Sequence, residues 1–376
     1  MTGRIEVSLG ALRHNAALLK SLAAPAQSAF VVKGNAYGHG LLAVAKAIEP
    51  SAVRLCVFTA EEGLELRSGG IAVPILVLGP VSAGAIPGAV AAELETALWD
   101  AGGFAARLAA EARVQGRRAG VHLKVNTDLN RLGLDPSEVQ HAVASLAAMP
   151  ELSLIGIYSH LAAAEETDSP YTQHQRDAFD RALNDVEPLL AGRPVSPLRH
   201  IAASAAAMLW PWTRLDMVRF GIAVYGLMPS PQIAEALEAQ PPGLRPALAY
   251  RSELVVTRTV AAGASVGYGG TFHAPRAMRI GVVPAGYADG VPRALSNRGA
   301  FAVDGALCPI VGRVAMNMTQ IDLTEAPRAH VGSTVTLIGK DGEASVTADD
   351  WARWSETINY EIVTRLPSEV PRVYCD

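Results

Sequence analysis

The chain has 376 residues, half of them hydrophobic and 18% charged, with a formal net charge of −4. One hydrophobic core rarely serves more than ~250–300 residues, so two domains are expected, and the apolar content excludes a disordered chain. The small acidic surplus argues against a nucleic-acid binder, which gathers basic charge on one face.

No apolar run reaches the ~18–20 residues needed to span a bilayer. The segment Met1–Glu6 lacks the apolar stretch of a signal peptide. A cytoplasmic location is therefore expected. Cys56, Cys308 and Cys375 are odd in number and scattered, and the nine histidines show no HExxH spacing. Neither a disulfide framework nor a metal site is expected.

In chain order, the first 230 residues alternate short apolar runs with helical stretches. The runs are Ala29–Lys33, Arg54–Phe58, Pro74–Leu78, Thr96–Leu98, Val121–Val125, Leu154–His160, Arg199–Ala203 and Met217–Gly221. They are short and rich in Val, Ile and Leu, as strands buried on both faces are. Helices are predicted over Pro136–Met149, with Asp135 as N-cap and Glu138 in the first turn, and over Gln173–Leu190. Eight βα repeats point to a TIM (β/α)8 barrel over residues 1–240. An open doubly wound sheet shares this pattern, but the count of eight and the absence of a Gly-rich dinucleotide fingerprint favour the barrel.

The stretch Gln240-Pro241-Pro242-Gly243-Leu244-Arg245-Pro246 reads as a linker, because proline continues neither helix nor sheet. Beyond it, over residues 241–376, a C-terminal, mostly β domain is predicted from β-branched runs at Tyr250–Val260, Met278–Val283, Ala300–Val303, Cys308–Val314, Met318–Leu323 and Thr334–Ile338. One helix, Ala348–Thr357, follows Thr347 as N-cap.

Barrel chemistry concentrates at the C-terminal ends of the strands. Those ends carry Lys33, Lys124 with Arg131 soon after, His160, Ser204 and Arg219-Phe220-Gly221. A lysine ending a buried strand loses hydration and has its pKa lowered, as an imine-forming amine requires; the alternative is a lysine that snorkels to solvent. After Lys33 comes a flexible polar loop, Gly34-Asn35-Ala36-Tyr37-Gly38-His39-Gly40, which sets a phenol near the amine. The loops after strands seven and eight hold Ser204 among alanines and Gly221 before Ile222, a composition suited to a phosphate ester. Each also has a plainer reading: a helix-capping serine and a glycine that eases packing. A lysine and a phosphate cradle on one barrel face together suggest pyridoxal phosphate.

Val31-Val32-Lys33-Gly34-Asn35-Ala36-Tyr37-Gly38-His39-Gly40 resembles the cofactor-attachment signature of alanine racemases. The resemblance continues through His122-Leu123-Lys124-Val125-Asn126-Thr127, Asn130-Arg131-Leu132-Gly133, Gly156-Ile157-Tyr158-Ser159-His160 and Val218-Arg219-Phe220-Gly221-Ile222 with Tyr225-Gly226. It reappears in Val266-Gly267-Tyr268-Gly269, Gly286-Tyr287-Ala288-Asp289-Gly290, Gly312-Arg313-Val314-Ala315-Met316-Asn317 and Ile358-Asn359-Tyr360-Glu361. It implies a barrel followed by a β domain, and an enzyme that interconverts L- and D-alanine for peptidoglycan.

It also implies roles. Lys33 carries the pyridoxal phosphate as a Schiff base. Tyr37, Ser204, Tyr360 and the backbone of Gly221 and Ile222 hold the phosphate. Arg219 hydrogen-bonds the pyridine nitrogen, with His160 beside it. Arg131 meets the substrate carboxylate, and Lys124 matches a lysine that is often carbamylated and pairs with that arginine. Family members are homodimers, so Tyr268, Met316 and Tyr287 serve the partner's site, with Asn317 in support. Lys33 and Tyr268 act as the two bases. The chain departs from the family pattern at Asn126, Asp128, Ala203, Ala315 and Asn317. The same fold also serves racemases of serine or lysine, pyridoxal decarboxylases, and non-catalytic pyridoxal-phosphate carriers. The decarboxylases use an acidic partner at the ring nitrogen, where Arg219 stands here, and the carriers are usually a barrel alone.

Overall fold

The computed structural model describes residues 3–191, 195–237 and 243–376. Its first sheet is built from eight parallel strands: β2 (Gln27–Val31), β3 (Arg54–Val57), β4 (Ile75–Val77), β5 (Glu95–Leu98), β6 (Ala119–Lys124), β7 (Leu152–Tyr158), β8 (Leu198–His200) and β9 (Met217–Phe220). The order is β8-β7-β6-β5-β4-β3-β2-β9. A parallel bridge between Ala203 and Arg219 joins the two ends, supported by the Arg219 amide donating to Ala202 O at 3.1 Å. The ring is the expected TIM barrel. Its strands are three to seven residues long and mostly buried, because helices cover the outside and side chains fill the inside.

Phe30 on β2 and Phe220 on β9 are fully buried, with ring centroids 6.1 Å apart. Each such side chain contributes about 1.5–3 kcal/mol by leaving water. Strand β6 pairs with β7 in a register that shifts between Val121 and His122, so that His122 lies opposite Gly156. The helix Pro136–Ala147 starts as predicted. Pro136 takes the first helical position, where its missing N–H costs nothing, and Glu138 Oε2 accepts from the Asp135 amide at 2.9 Å.

The second unit is a β structure. Its main sheet runs β16 (Ala306–Pro309), β15 (Ala300–Val303), β18 (Thr334–Asp341), β10 (Leu248–Glu253), β1 (Arg4–Ser8), β20 (Arg372–Cys375), with β19 (Ala344–Val346) on β18. A second sheet orders β11 (Val256–Val260), β14 (Met278–Val283) and β17 (Thr319–Asp322). Between them in sequence, β12 (Ser265–Val266) and β13 (Phe272–His273) form a small hairpin. The helix Ala348–Ser355 begins at Thr347, whose hydroxyl accepts from the Asp350 amide at 3.0 Å.

The division between the units differs from the expected one. Strand β1 belongs to the β unit, antiparallel to β10 (Ile5 opposite Tyr250) and parallel to β20 (Ile5 opposite Arg372). The Tyr37–Gly40 loop groups with the β unit too, while Ala11–Ala36 and Leu41–Arg245 form the barrel unit. The reason is legible in β1, where Ile5 and Val7 are buried and Arg4, Glu6 and Ser8 are not. That alternation suits a half-covered sheet, not a barrel strand. The expected boundary at 240/241, and residues 240–242 of the linker, lie outside the described residues. Among the described residues, no helix is long and apolar enough to cross a membrane.

Candidate active site

In the barrel unit Lys33 follows the buried Val32, one residue past the end of β2, and is half-buried. Burial, and then the Arg131 guanidinium, lower its pKa. Its Nζ lies 5.8 Å from the centroid of the Phe58 ring.

The loop beyond is not loose, contrary to expectation. Gly34, Asn35, Ala36 and Tyr37 all adopt φ between 51° and 63°, a turn of left-handed helix. This conformation costs about 1–2 kcal/mol for each residue with a Cβ, so local bonds must hold it. The Ala36 amide donates to Val32 O at 2.8 Å, and the Gly34 amide donates to Glu62 Oε1 at 2.6 Å. Asn35 Oδ1 accepts from the Leu41 amide at 2.8 Å. Glu62 Oε2 also accepts from the Phe58 amide at 2.9 Å, so one carboxylate ties the loop after β3 to the lysine turn.

Lys124 ends β6 and is buried, its Nζ 5.6 Å from the Tyr158 ring centroid. Burial, with help from Arg131, Arg219 and Lys33, brings its pKa down to about 8. Arg131 itself is exposed. Its loop is braced by Asn126, whose Oδ1 accepts from the Asn130 amide at 3.0 Å and whose Nδ2 donates to Asp135 Oδ1 at 3.2 Å. Gly133 permits the close approach: at φ +128°, a Cβ there would lie 2.6 Å from the Asn126 amide nitrogen. Asp128 takes part through its carbonyl, which accepts from Tyr171 Oη at 3.0 Å.

Arg219 on β9 is buried. It donates through Nη1 to His200 Nδ1 (2.6 Å), and through Nη2 to Ser159 O (2.8 Å) and His160 Nδ1 (3.3 Å). Burial, and then the positive charges of Arg219, Arg131, Lys124 and Lys33, hold the His160 imidazole well below its usual pKa, so it is neutral. Ser204 is the first residue of the short helix Ser204–Leu209, and its Oγ accepts from the Gly221 amide at 2.9 Å. It ties the loops after β8 and β9 together instead of capping its own helix.

In the β unit the rings of Tyr37 and Tyr360 lie 6.2 Å apart. The Tyr37 loop is fixed by Arg372, whose Nη2 donates to Gly38 O at 2.9 Å. Tyr268, Tyr287, Met316 and Asn317 are exposed, Tyr268 with 73% of its surface open. Their loops, far apart in sequence, meet here. The Tyr287 amide donates to Ala315 O at 3.0 Å, and Asn317 Nδ2 to Asp289 Oδ2 at 3.3 Å. A Cβ at Gly267 would fall 3.1 Å from the Arg313 amide nitrogen.

Sequence reasoning passed over Arg54, Glu95 and His200, and quoted His122 only as part of a motif. All four lie inside the barrel, a place usually filled by Val, Ile and Leu. Only His122 carried a signal of its place: it stands two positions before Lys124 on the same strand, and so shares its face.

The barrel interior thus gathers Lys33, Lys124, Arg54 and Arg219 against the Glu95 carboxylate, the charge balance of an enzyme built around an anionic ligand. Comparison with known proteins gives this class its family. Residues 7–229 match the model of the alanine racemase N-terminal domain, and 247–374 that of the C-terminal domain. The alanine racemase of Symbiobacterium thermophilum is 42% identical over 98% of this chain and 96% of its own length. That of Sorangium cellulosum is 39% identical over 99% and 98%. The crystal structure of alanine racemase from D-cycloserine-producing Streptomyces lavendulae superposes with a TM-score of 0.92, at 37% identity, covering 100% of this chain and 97% of that one. The chain belongs to the alanine racemase family, isomerases that act on amino acids.

Proposed function

We propose that this chain interconverts L- and D-alanine with pyridoxal 5′-phosphate carried on Lys33, as a cytoplasmic homodimer that supplies D-alanine for peptidoglycan. The observation that carries the reading is Lys33 itself: an amine beside the barrel mouth whose pKa is lowered by burial and by a neighbouring cation.

The residues present fit the cofactor. A phosphate dianion suits the Ser204–Gly221 junction and the Tyr37–Tyr360 pair, since hydroxyls and backbone amides are its usual partners. The hydrogen bonds that Arg219 makes run through its terminal nitrogens, so its Nε–H remains to face the pyridine nitrogen. Bound there, the cofactor supplies an electron sink for the charge left at the substrate Cα.

This chain's residues supply the rest. Arg131 orients the substrate carboxylate, with Lys124 as its support once carbamylated and the Met316 backbone offered by the partner. Lys33 Nζ removes or returns the Cα proton on one face, and the partner's Tyr268 Oη does so on the other. The exposure of Tyr268 and Tyr287 supports their service to a second copy, with Asn317 steadying the Met316 loop through Asp289. General acid–base catalysis is worth only ~10²–10⁴-fold, so positioning and the sink must supply the remainder. Arg219 keeps its protons, so it offers a hydrogen bond to the ring nitrogen without protonating it. His160 accepts from Arg219 and so helps to hold its guanidinium.

The test is chiral chromatography of L-alanine incubated with the protein and pyridoxal phosphate, with Lys33→Ala as control. D-alanine accumulating toward an equal mixture, with an inert control, is the expected result. L-alanine left untouched by a cofactor-loaded protein would overturn the substrate assignment and move the screen to serine, lysine and ornithine.

A further inference from the structure

Arg219 has no carboxylate partner among the described residues, although it is buried. Its hydrogen bonds lead instead through two histidines. Arg219 Nη1 lies 2.6 Å from His200 Nδ1, His200 Nε2 lies 2.9 Å from His122 Nδ1, and His122 Nε2 lies 3.1 Å from Glu95 Oε2. Glu95 in turn takes the Arg54 guanidinium in a two-pronged pair, Arg54 Nη2 to Oε1 at 2.9 Å.

The protons in this line can be assigned from its ends. A guanidinium only donates, so His200 Nδ1 must accept and its proton sits on Nε2. His122 Nδ1 then accepts, which puts its proton on Nε2, aimed at a carboxylate that only accepts. We propose that Glu95, His122 and His200 are positioning residues for Arg219: a line of hydrogen bonds, every proton pointing toward Glu95, that fixes the orientation of the guanidinium. This rests on the functional reading above, in which Arg219 faces the cofactor's ring nitrogen.

The surroundings favour such a line. Burial lowers the pKa of both imidazoles, so they stay neutral. Burial alone would raise the Glu95 carboxyl, but the bonds from His122 and Arg54 hold it at about 2, so it stays ionised. Tyr158 walls the chain, its ring parallel to His200 at 4.8 Å and 5.1 Å from the Arg219 guanidinium. Space for the His122–His200 bond comes from Gly156, where a Cβ would lie 2.8 Å from His122 Cε1 and 3.0 Å from His200 Nε2. The register shift that sets Gly156 opposite His122 falls at this point in the sheet. The arrangement has a use. A carboxylate bonded directly to Arg219 would compete for its N–H groups, whereas imidazole nitrogens hold the guanidinium while leaving it a strong donor.

The test is nitrogen NMR on the holoenzyme, with labelled histidine and cofactor labelled at the ring nitrogen. His122 and His200 are expected as neutral Nε2–H tautomers. Glu95→Gln removes the charge, and Gly156→Ala breaks the histidine–histidine bond while keeping every titratable group. Both should shift the ring-nitrogen resonance and lower kcat by about 10- to 100-fold, the worth of a hydrogen bond to a charged group, with KM nearly unchanged. A proton on Nδ1 of either ring, or a doubly protonated ring, overturns the assignment. The expected tautomers with an unmoved ring-nitrogen signal and unchanged kcat in the folded Gly156→Ala variant overturn the positioning role. A wild-type protein that binds no cofactor defeats the functional reading, and the positioning role with it, while the tautomers remain measurable.

Discussion

The Ser204 hydroxyl accepts the Gly221 amide proton at 2.9 Å, across the loops that follow neighbouring barrel strands. The two groups hold each other in place before any anion arrives, so a phosphate meets a preformed junction. Ser204→Ala leaves a buried amide without its partner and removes a hydroxyl from the phosphate. Losing a hydrogen bond to a charged group costs about 1.5–3 kcal/mol. Cofactor affinity, read by fluorescence titration of the cofactor-stripped protein with pyridoxal phosphate, should fall by about 10- to 100-fold. Unchanged affinity would remove Ser204 from the phosphate site.

Lys124, with a pKa near 8, gives a pH signature. The unfolded lysine keeps its proton to ~10.4. Between those values the unfolded chain binds more protons than the folded one, so this residue makes stability rise with pH across that window and penalises the folded state below it. Lys124→Met should flatten this part of the stability-against-pH curve for cofactor-free protein, measured by urea unfolding. The same low pKa leaves a neutral amine able to capture carbon dioxide. Carbon-13 NMR with labelled bicarbonate should therefore show a carbamate that is absent from the Met variant.

Tyr268 is the exposed phenol assigned to one face of the substrate. Tyr268→Phe should lower racemisation by about 10²–10⁴-fold. In deuterated water the variant should still exchange the Cα proton of the enantiomer served by Lys33, while exchange of the other collapses. Equal loss for both enantiomers would contradict a two-sided assignment.

Arg219 cannot protonate a ring nitrogen, but a carboxylic acid in its place can. Arg219→Glu should strengthen the electron sink. Pyruvate release by side transamination should rise, and a long-wavelength absorbance band should appear during turnover. An unchanged spectrum would count against a ring nitrogen held by Arg219.

Much of the fold was legible because barrel strands and β-domain strands carry different periods. Runs such as Pro74–Leu78 are apolar throughout, and Ile75–Val77 within it is wholly buried, while β10 alternates buried and half-buried residues from Leu248 to Glu253. Strand β1 was not assigned, because five residues with two buried positions give little signal, and its partners lie hundreds of residues away. Within the site, strand ends exposed Lys33, Lys124, His160 and Arg219 by position alone. The Glu95–His122–His200 line stayed hidden because its members sit within strands, and only the register shift at Gly156 brings the two histidines together. The left-handed turn after Lys33 was read as a flexible loop for a similar reason: glycine and asparagine permit that conformation without demanding it.

The pairing of β1 with β20 joins a strand made before all the other described strands to one made after them. During synthesis β1 emerges first, and both of its hydrogen-bonding edges wait while the entire barrel segment is produced. The Tyr37 loop waits as well, since Arg372, which clasps Gly38, arrives with β20. A nascent chain can therefore assemble barrel strands early, yet the edge of its β sheet beside β1 and the clasp on the Tyr37 loop arrive together, with β20.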